Sequence, residues 1–332
     1  MTNRLLTVVL AVFLLWIGYP FFEWAILHAV WRPDATACRA TQGACWGFIA
    51  EKHRLILFGT YPYEQHWRPA AATVLLLGLW FLSGIRFFWR PWLAILWLLG
   101  LVLISILMWG GMLGLPYVEN ERWGGLILTL LLTTFGLAFA FPLAILLALG
   151  RRSDLPVIRA LCVGYIELVR GVPLISLLFM ASVMLPLFLP EGVTVDKLLR
   201  AQLAMILFAA AYLAEVVRGG LQGIAKAQYE MADSLGLTYW QKTLFVVLPQ
   251  ALRISVPALV NTFIGFFKDT SLVLIIGLFD LLSTIKVSLN DPAWAGSSVT
   301  AYLFAALLYF VFCFTASRYS RRFERRPLIS SF

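Results

Sequence analysis

Long apolar runs without a charge alternate with short polar stretches through most of this chain. Leu5 to Phe22, Pro69 to Ile85, Pro91 to Val118, Trp123 to Gly150, Gly171 to Pro190 and Pro292 to Ser317 contain no Asp, Glu, Lys or Arg. A helix needs about 20 such residues to cross a hydrocarbon core of roughly 30 Å. Two shorter stretches, Ala201 to Ala214 and Ile254 to Phe267, reach that length only by accepting charges. The pattern predicts eight membrane helices, near 5–27, 70–89, 92–113, 124–149, 157–185, 201–222, 254–280 and 298–319. No strand-like alternation of polar and apolar residues accompanies them, which excludes a membrane barrel. Arg4 before the first run would suit a signal peptide, but the run continues through Trp16, Ile17, Tyr19 and Phe21 to Trp24 without a small-residue cleavage pattern. That favours a retained anchor.

Composition strengthens this reading. The 332 residues are 61% hydrophobic and 13% charged, against about 45–50% and 25% in soluble proteins. Too little polar surface remains to cover a water-facing exterior, so the fold class is an all-α integral membrane protein. The net charge of +9 would suit a nucleic-acid partner in a soluble chain. Here the basic residues gather instead in short connections: Arg4; Arg86 and Arg90; Arg151, Arg152 and Arg159; Arg218, Lys226, Lys242 and Arg253; and Arg318 to Arg326 at the C-terminus. Positive loops face the cytoplasm, so both termini are expected inside, and no nucleic acid is implied.

The connection at 28–69 then lies outside as a small cap carrying Cys38, Cys45, His28, His53 and His66. In an oxidising periplasm Cys38 and Cys45 are close enough in sequence to close a disulfide loop; the alternative is two free buried thiols. Their spacing with the histidines matches no zinc pattern, so no metal site is expected. Cys162 and Cys313 fall within or beside spans as inert core residues.

The inner connection at 222–253 is too organised for a linker. Ala225 to Leu235 favours helix and meets Gly236, a left-handed cap. Thr238 and Gln241 have the spacing of a capping box opening a second short helix, which Pro249 is expected to end or bend. Tyr229, Leu235, Tyr239, Trp240 and Phe245 are available to pack. Such a unit either docks a partner or packs on the inner helix ends.

Glu230, Ala232 and Gly236, followed by Val246, Leu248 and Pro249, resemble the E-A-A-x-x-x-G-x(9)-I-x-L-P loop of membrane subunits of bacterial binding-protein-dependent ABC importers, with Met231 and Val246 as departures. YIELVRGVPLISLLF at 165–179, YLAEVVRGGLQGIAKAQYEMADSLG at 212–236 and FKDTSLVLIIG at 267–277 are similar to stretches of polar amino-acid permeases. The first three spans and their loop resemble the M-type permease of general L-amino-acid importers. The resemblance implies an N-terminal three-span region (1–123), a permease core (124–326) and a short tail (327–332). It also implies a coupling loop, with Glu230, Ala232, Asp233, Gly236, Thr238, Lys242, Leu248 and Pro249, that fits a cleft on a cytoplasmic ATPase. Two ATPases, a second related permease, as a hetero-pair or a homodimer, and a periplasmic amino-acid-binding protein would complete the assembly in the bacterial inner membrane. No G-x-x-x-x-G-K followed by Ser or Thr occurs in the chain, so ATP and magnesium are expected on the partner, and this chain is not itself an enzyme.

Ionisable groups inside spans are costly unless paired or hydrated, and mark function by default. Glu167 with Arg170, Glu215 with Arg218, and adjacent Lys268 and Asp269 qualify. Each could neutralise itself as a local pair. Alternatively Glu167, Arg170, Glu215, Lys268 and Asp269 line a pathway for a zwitterion, with Arg218 nearer the inner face serving coupling or lipid anchoring. Two rivals remain: an ion-gradient-driven secondary transporter, for which no repeated halves are visible, and an intramembrane enzyme, for which no catalytic set lies at depth.

Overall fold

A computed structural model describes residues 2–324 except 89 and 191; Arg325, Arg326 and the tail at 327–332 lie outside the described residues. The described residues are mostly helical, with one short extended segment at Phe279–Asp280. Along the chain run α1 (Thr2–Phe22), α2 (Ala35–Ala40), α3 (Trp46–Phe58), α4 (Trp67–Ser83), α5 (Trp92–Trp109), α6 (Gly125–Arg151) and α7 (Pro156–Gly171). There follow α8 (Leu174–Phe179), α9 (Leu185–Leu187), α10 (Lys197–Gln222), α11 (Lys226–Ser234), α12 (Tyr239–Gln241), α13 (Leu248–Asp269), α14 (Leu281–Ser288) and α15 (Ser298–Glu324). Among the described residues, six helical stretches are long and apolar enough to cross a membrane, and the bent pair of α7 with Leu174–Leu187 makes a seventh. The remaining expected span corresponds to α4, which has 17 residues.

Several boundaries differ from expectation, and prolines bear on two of them. The fifth span is not one helix over 157–185: its halves diverge by 101°. Pro173 supplies no N–H, and the residue before a proline is driven out of the helical region. Val172 accordingly has φ −106° and ψ 133°. Conversely, Pro249 does not end its helix. The chain widens to a π turn over Lys242–Val247 and runs on through α13. The same device, a π turn over Met180–Met184, precedes Pro186. A proline ring in a regular α-helix would strike the carbonyl four residues back, and the wider turn relieves that clash without stopping the helix. Nor does the seventh span continue to 280. It tightens at Asp269 into a 3-10 segment, Thr270–Ile276, stops at Gly277 with φ +78°, and becomes extended at Phe279–Asp280.

Two apolar cores hold these elements. The first joins α6, α7, α8, α10 and α13. Its centre is built from small residues, Ala140, Ala144 and Ala148 of α6 with Ala201, Ala204, Ala209 and Ala210 of α10. Small side chains let backbones approach where lipid offers no hydrophobic drive. At Gly220 the approach to α13 is so close that an added Cβ would lie 2.4 Å from the Ala251 carbonyl oxygen. The second core joins α3, α4 and α5 to the N-terminal half of α6 and to α14 and α15.

The 28–69 segment folds as a cap of α2 and α3. Cys38 and Cys45 are bonded, with Cα atoms 5.5 Å apart. Asp34 caps α2 by accepting from the Thr36 hydroxyl and from the Thr36 and Ala37 amides, and these bonds, the hydroxyl's foremost, hold its carboxyl below the ordinary range. Arg39 donates to the Pro292 and Ala293 carbonyls, the Cys45 amide donates to Thr300 Oγ1, and Lys52 pairs with Asp291 at 2.7 Å. The cap is thereby fastened to the α14–α15 connection. Arg68, fully buried, donates to the carbonyls of Leu107 and Pro116 and to Gln65. It closes the turn after α5 from beside Tyr61, whose hydroxyl burial pushes up to about 12.

Candidate functional site

Two features could carry transport: a broken-helix region crossed by charges, and the organised loop at 222–253. In the first, α8 packs along the 3-10 segment Thr270–Ile276, so both helix interruptions meet in one layer. Interruptions of this kind free backbone groups and are tolerated at depth where protein or a cavity surrounds them. Separately, α6, α10 and α13 border an open apolar groove of about 430 Å³ lined by Leu137, Phe141, Leu213, Leu259 and Phe263.

The charges pair across helices more than along them. Glu215 sits at the centre, bonded by Arg218 Nε at 2.7 Å from its own helix, by Arg151 at 3.2 Å from α6, and by Arg170 at 3.7 Å from α7. Glu167 bonds Arg151 at 2.9 Å. The local pair expected between Glu167 and Arg170 does not form; each reaches a neighbouring helix, because α7 crosses the ends of α6 and α10. Gly150 at this crossing has room for no Cβ beside the Cys162 sulfur. Three guanidinium groups thus surround two carboxylates, a net positive cluster. Arg170 also lies 5.6 Å from the Tyr212 ring centre and keeps its Nε buried and unpartnered.

Lys268 and Asp269 end α13 away from that cluster's bonds. Among the described residues neither side chain has an ion pair or hydrogen bond, the Lys being exposed and the Asp half-buried. The structure therefore divides the five candidate pathway residues into a bonded group, Glu167, Arg170 and Glu215, and a pair with free hydrogen-bonding capacity.

In the loop, α11 ends in a Schellman turn. The Gly236 amide bonds the Asp233 carbonyl and the Leu237 amide bonds the Ala232 carbonyl, with Gly236 at φ +71°. Thr238 and Gln241 form the capping box of α12, and Lys242 reaches back to Asp233 at 2.5 Å. Ala232 and Leu248 are buried, whereas Glu230 is exposed and pairs with Lys226 at 3.3 Å. Leu235, Trp240 and Phe245 are 78%, 59% and 76% exposed. A rigid unit with its large apolar side chains turned outward is built to meet another surface.

The sequence reading missed Arg151, Arg152 and Tyr229. Arg151 and Arg152 were counted only as orienting charges, yet Arg152 donates to Tyr229 Oη at 3.1 Å and to the Leu221 carbonyl at 3.2 Å. Their signal was adjacency: two arginines directly following the uncharged run Trp123 to Gly150.

A family model described as "binding-protein-dependent transport system inner membrane component" matches residues 123–328. The chain is 49% identical to the inner membrane amino-acid ABC transporter permease protein YhdY of Escherichia coli, over 98% of this chain and 89% of that one. It is 39% identical to the glutamate/glutamine/aspartate/asparagine transport system permease protein BztC of Rhodobacter capsulatus, over 98% and 90%. A probable glutamine ABC transporter permease protein, GlnP of Bacillus subtilis, matches 61% of this chain and 92% of its own length at 33% identity. Among solved structures, a crystal structure of an amino acid ABC transporter with histidines aligns with 61% of this chain and 92% of its own, at TM-score 0.54 and 32% identity.

Proposed function

We propose a function from one premise: this chain belongs to the family of binding-protein-dependent transport system inner membrane components. It is the permease subunit of an ATP-driven amino-acid importer in the bacterial inner membrane. The observation that carries the reading is the 222–253 unit, a helix, glycine turn and helix with its apolar side chains outward, at the position where the family's coupling loop falls. Two cytoplasmic ATPases bind ATP and magnesium and hydrolyse the nucleotide, and this chain holds no cofactor of its own. Both termini face the cytoplasm. A second, related permease completes the path across the cleft between α6, α10 and α13, and a periplasmic binding protein delivers the amino acid.

Within this reading Glu230, Ala232, Asp233, Gly236, Thr238, Lys242, Leu248 and Pro249 shape the coupling loop. A zwitterion needs a cation for its carboxylate and an acceptor for its ammonium. Lys268 and Asp269 offer both with free bonding capacity, while Glu167, Arg170 and Glu215 line the way toward the inner end.

The test is uptake of a labelled amino-acid mixture into proteoliposomes holding this chain with its permease partner, ATPase and binding protein, with and without ATP on the ATPase side. Uptake that requires both ATP and the binding protein is expected. Uptake driven by an ion gradient without ATP would overturn the reading in favour of a secondary transporter.

A further inference from the structure

The coupling loop and the charge cluster meet the same end of α6, one residue apart. Arg152 is the C-cap of α6. Its guanidinium bridges the Tyr229 hydroxyl of α11 and the Leu221 carbonyl of α10, and the Tyr229 hydroxyl itself donates to that carbonyl at 3.4 Å. Leu221 lies in the last turn of α10, where helix carbonyls have no intrahelical partner and a cation is favoured. Its preceding residue, Arg151, bridges Glu167 of α7 and Glu215 of α10. Glu215 in turn holds Arg170, the residue directly before the Gly171–Pro173 break. From α11 to that break the contacts are continuous: Tyr229, Arg152, the α6 terminus, Arg151, Glu215, Arg170.

A displacement of α11 must therefore either break the Tyr229 and Gln228 contacts or carry the ends of α6 and α10 with it. The second of these contacts, from Gln250 Nε2 to Gln228 Oε1 at 3.1 Å, ties α11 to α13 and leads elsewhere. Among the described polar contacts of α11 side chains, Tyr229 alone reaches the arginine pair. Glu215 has three guanidinium partners at unequal distances, so a shift of α6 against α10 redistributes its bonds among them without leaving the carboxylate bare. Such exchange among alternative partners lets a partly buried ionic cluster adopt discrete arrangements.

We infer that Arg152 and Tyr229 are positioning residues for transport, passing the movement of the coupling loop through the adjacent Arg151 to the Glu215 cluster and so to the helix break at Gly171–Pro173. This inference rests on the importer reading above. It assigns the two residues no contact with substrate or nucleotide.

The test compares wild type, Tyr229→Phe and Arg152→Gln in the complete reconstituted complex, reading amino acid taken up per ATP hydrolysed alongside hydrolysis without binding protein. Tyr229→Phe keeps the ring and its packing and removes only the hydroxyl. Both variants are expected to assemble and to retain hydrolysis without binding protein. Uptake per ATP should fall by roughly three- to tenfold, the range for losing one hydrogen bond from a coupled network. An unchanged ratio in the variants, with ATP-driven uptake intact in wild type, overturns the relay and leaves the importer reading standing. A proportional loss of hydrolysis and uptake, with the ratio preserved, also overturns it, since that marks a merely structural role. Absence of ATP-dependent uptake in wild type removes both readings together.

Discussion

Gly236 shows how much one backbone angle can carry. At φ +71° an L-residue with a Cβ is disfavoured by roughly 1–2 kcal/mol, and Asn tolerates the region better than other non-glycine residues. Space is not the constraint, because a Cβ built there meets nothing within 4 Å. The penalty is purely conformational, and it falls on the turn that sets the angle between α11 and α12. Gly236→Asn should therefore retain most ATP-driven uptake, while Gly236→Val, β-branched and unsuited to a left-handed angle, should abolish it. Uptake assays of the two variants at matched membrane levels check this; equal activity would show that the turn's geometry is not what coupling requires. The glycine was legible in the sequence because a left-handed cap leaves a local mark. Arg151 and Arg152 were not, since their partners lie on α7, α10 and α11 and no local pattern announces them.

Among the elements, those with local causes matched their expectation most closely. The capping box of α12 and the glycine stop of α11 stand where their residues predict. Spans six and eight were recognised but begin or end a turn away, because charged ends such as Lys197 and Arg321 extend helices past the apolar run. Prolines misled in both directions: Pro173 breaks its span, whereas Pro249 follows a π turn without stopping the helix and Pro142 and Pro257 sit inside α6 and α13 with no such turn before them. The cap illustrates an element secured by distant contacts. Asp291 accepts from Lys52 and from the Ala293 amide, and these bonds hold its carboxyl below the usual range. A depressed folded pKa means stability that is present above the unfolded value of about 3.9 and is lost as pH falls through the folded one. Hydrogen exchange at the amides of α3 should thus be slower in wild type than in Asp291→Asn at pH 7, and the two should converge below about pH 4. A difference that persisted in acid would assign the protection to the disulfide and the Arg39 bonds instead.

At the scale of the whole molecule, the boundary near residue 123 divides the sequence and not the packing. The family model begins there, and the Bacillus subtilis relative matches 61% of this chain. Yet the second core mixes the two regions: Ile56, Leu76, Ile104 and Met108 from the N-terminal part pack with Ile127, Leu130, Phe267, Leu281 and Ile285 from the rest. Gly59 lies so close to Gly124 that a Cβ would approach its Cα to 2.5 Å, and the Thr284 hydroxyl donates to the Ile56 carbonyl. Helices α3 to α5 therefore pack as a wall against α6, α14 and α15, while α1 lies outside both cores. A chain of residues 124–332 expressed alone should accumulate poorly in membranes, because those contacts include close backbone approaches and a polar bond as well as apolar area that lipid could cover. Co-expression of residues 1–123 as a separate chain should restore it, since the contacts need proximity and not covalent continuity. Membrane levels and thermal stability of the truncated chain, with and without the complementing piece, decide the matter. A stable, transport-competent 124–332 chain would show that the N-terminal spans are an addition and not part of the core.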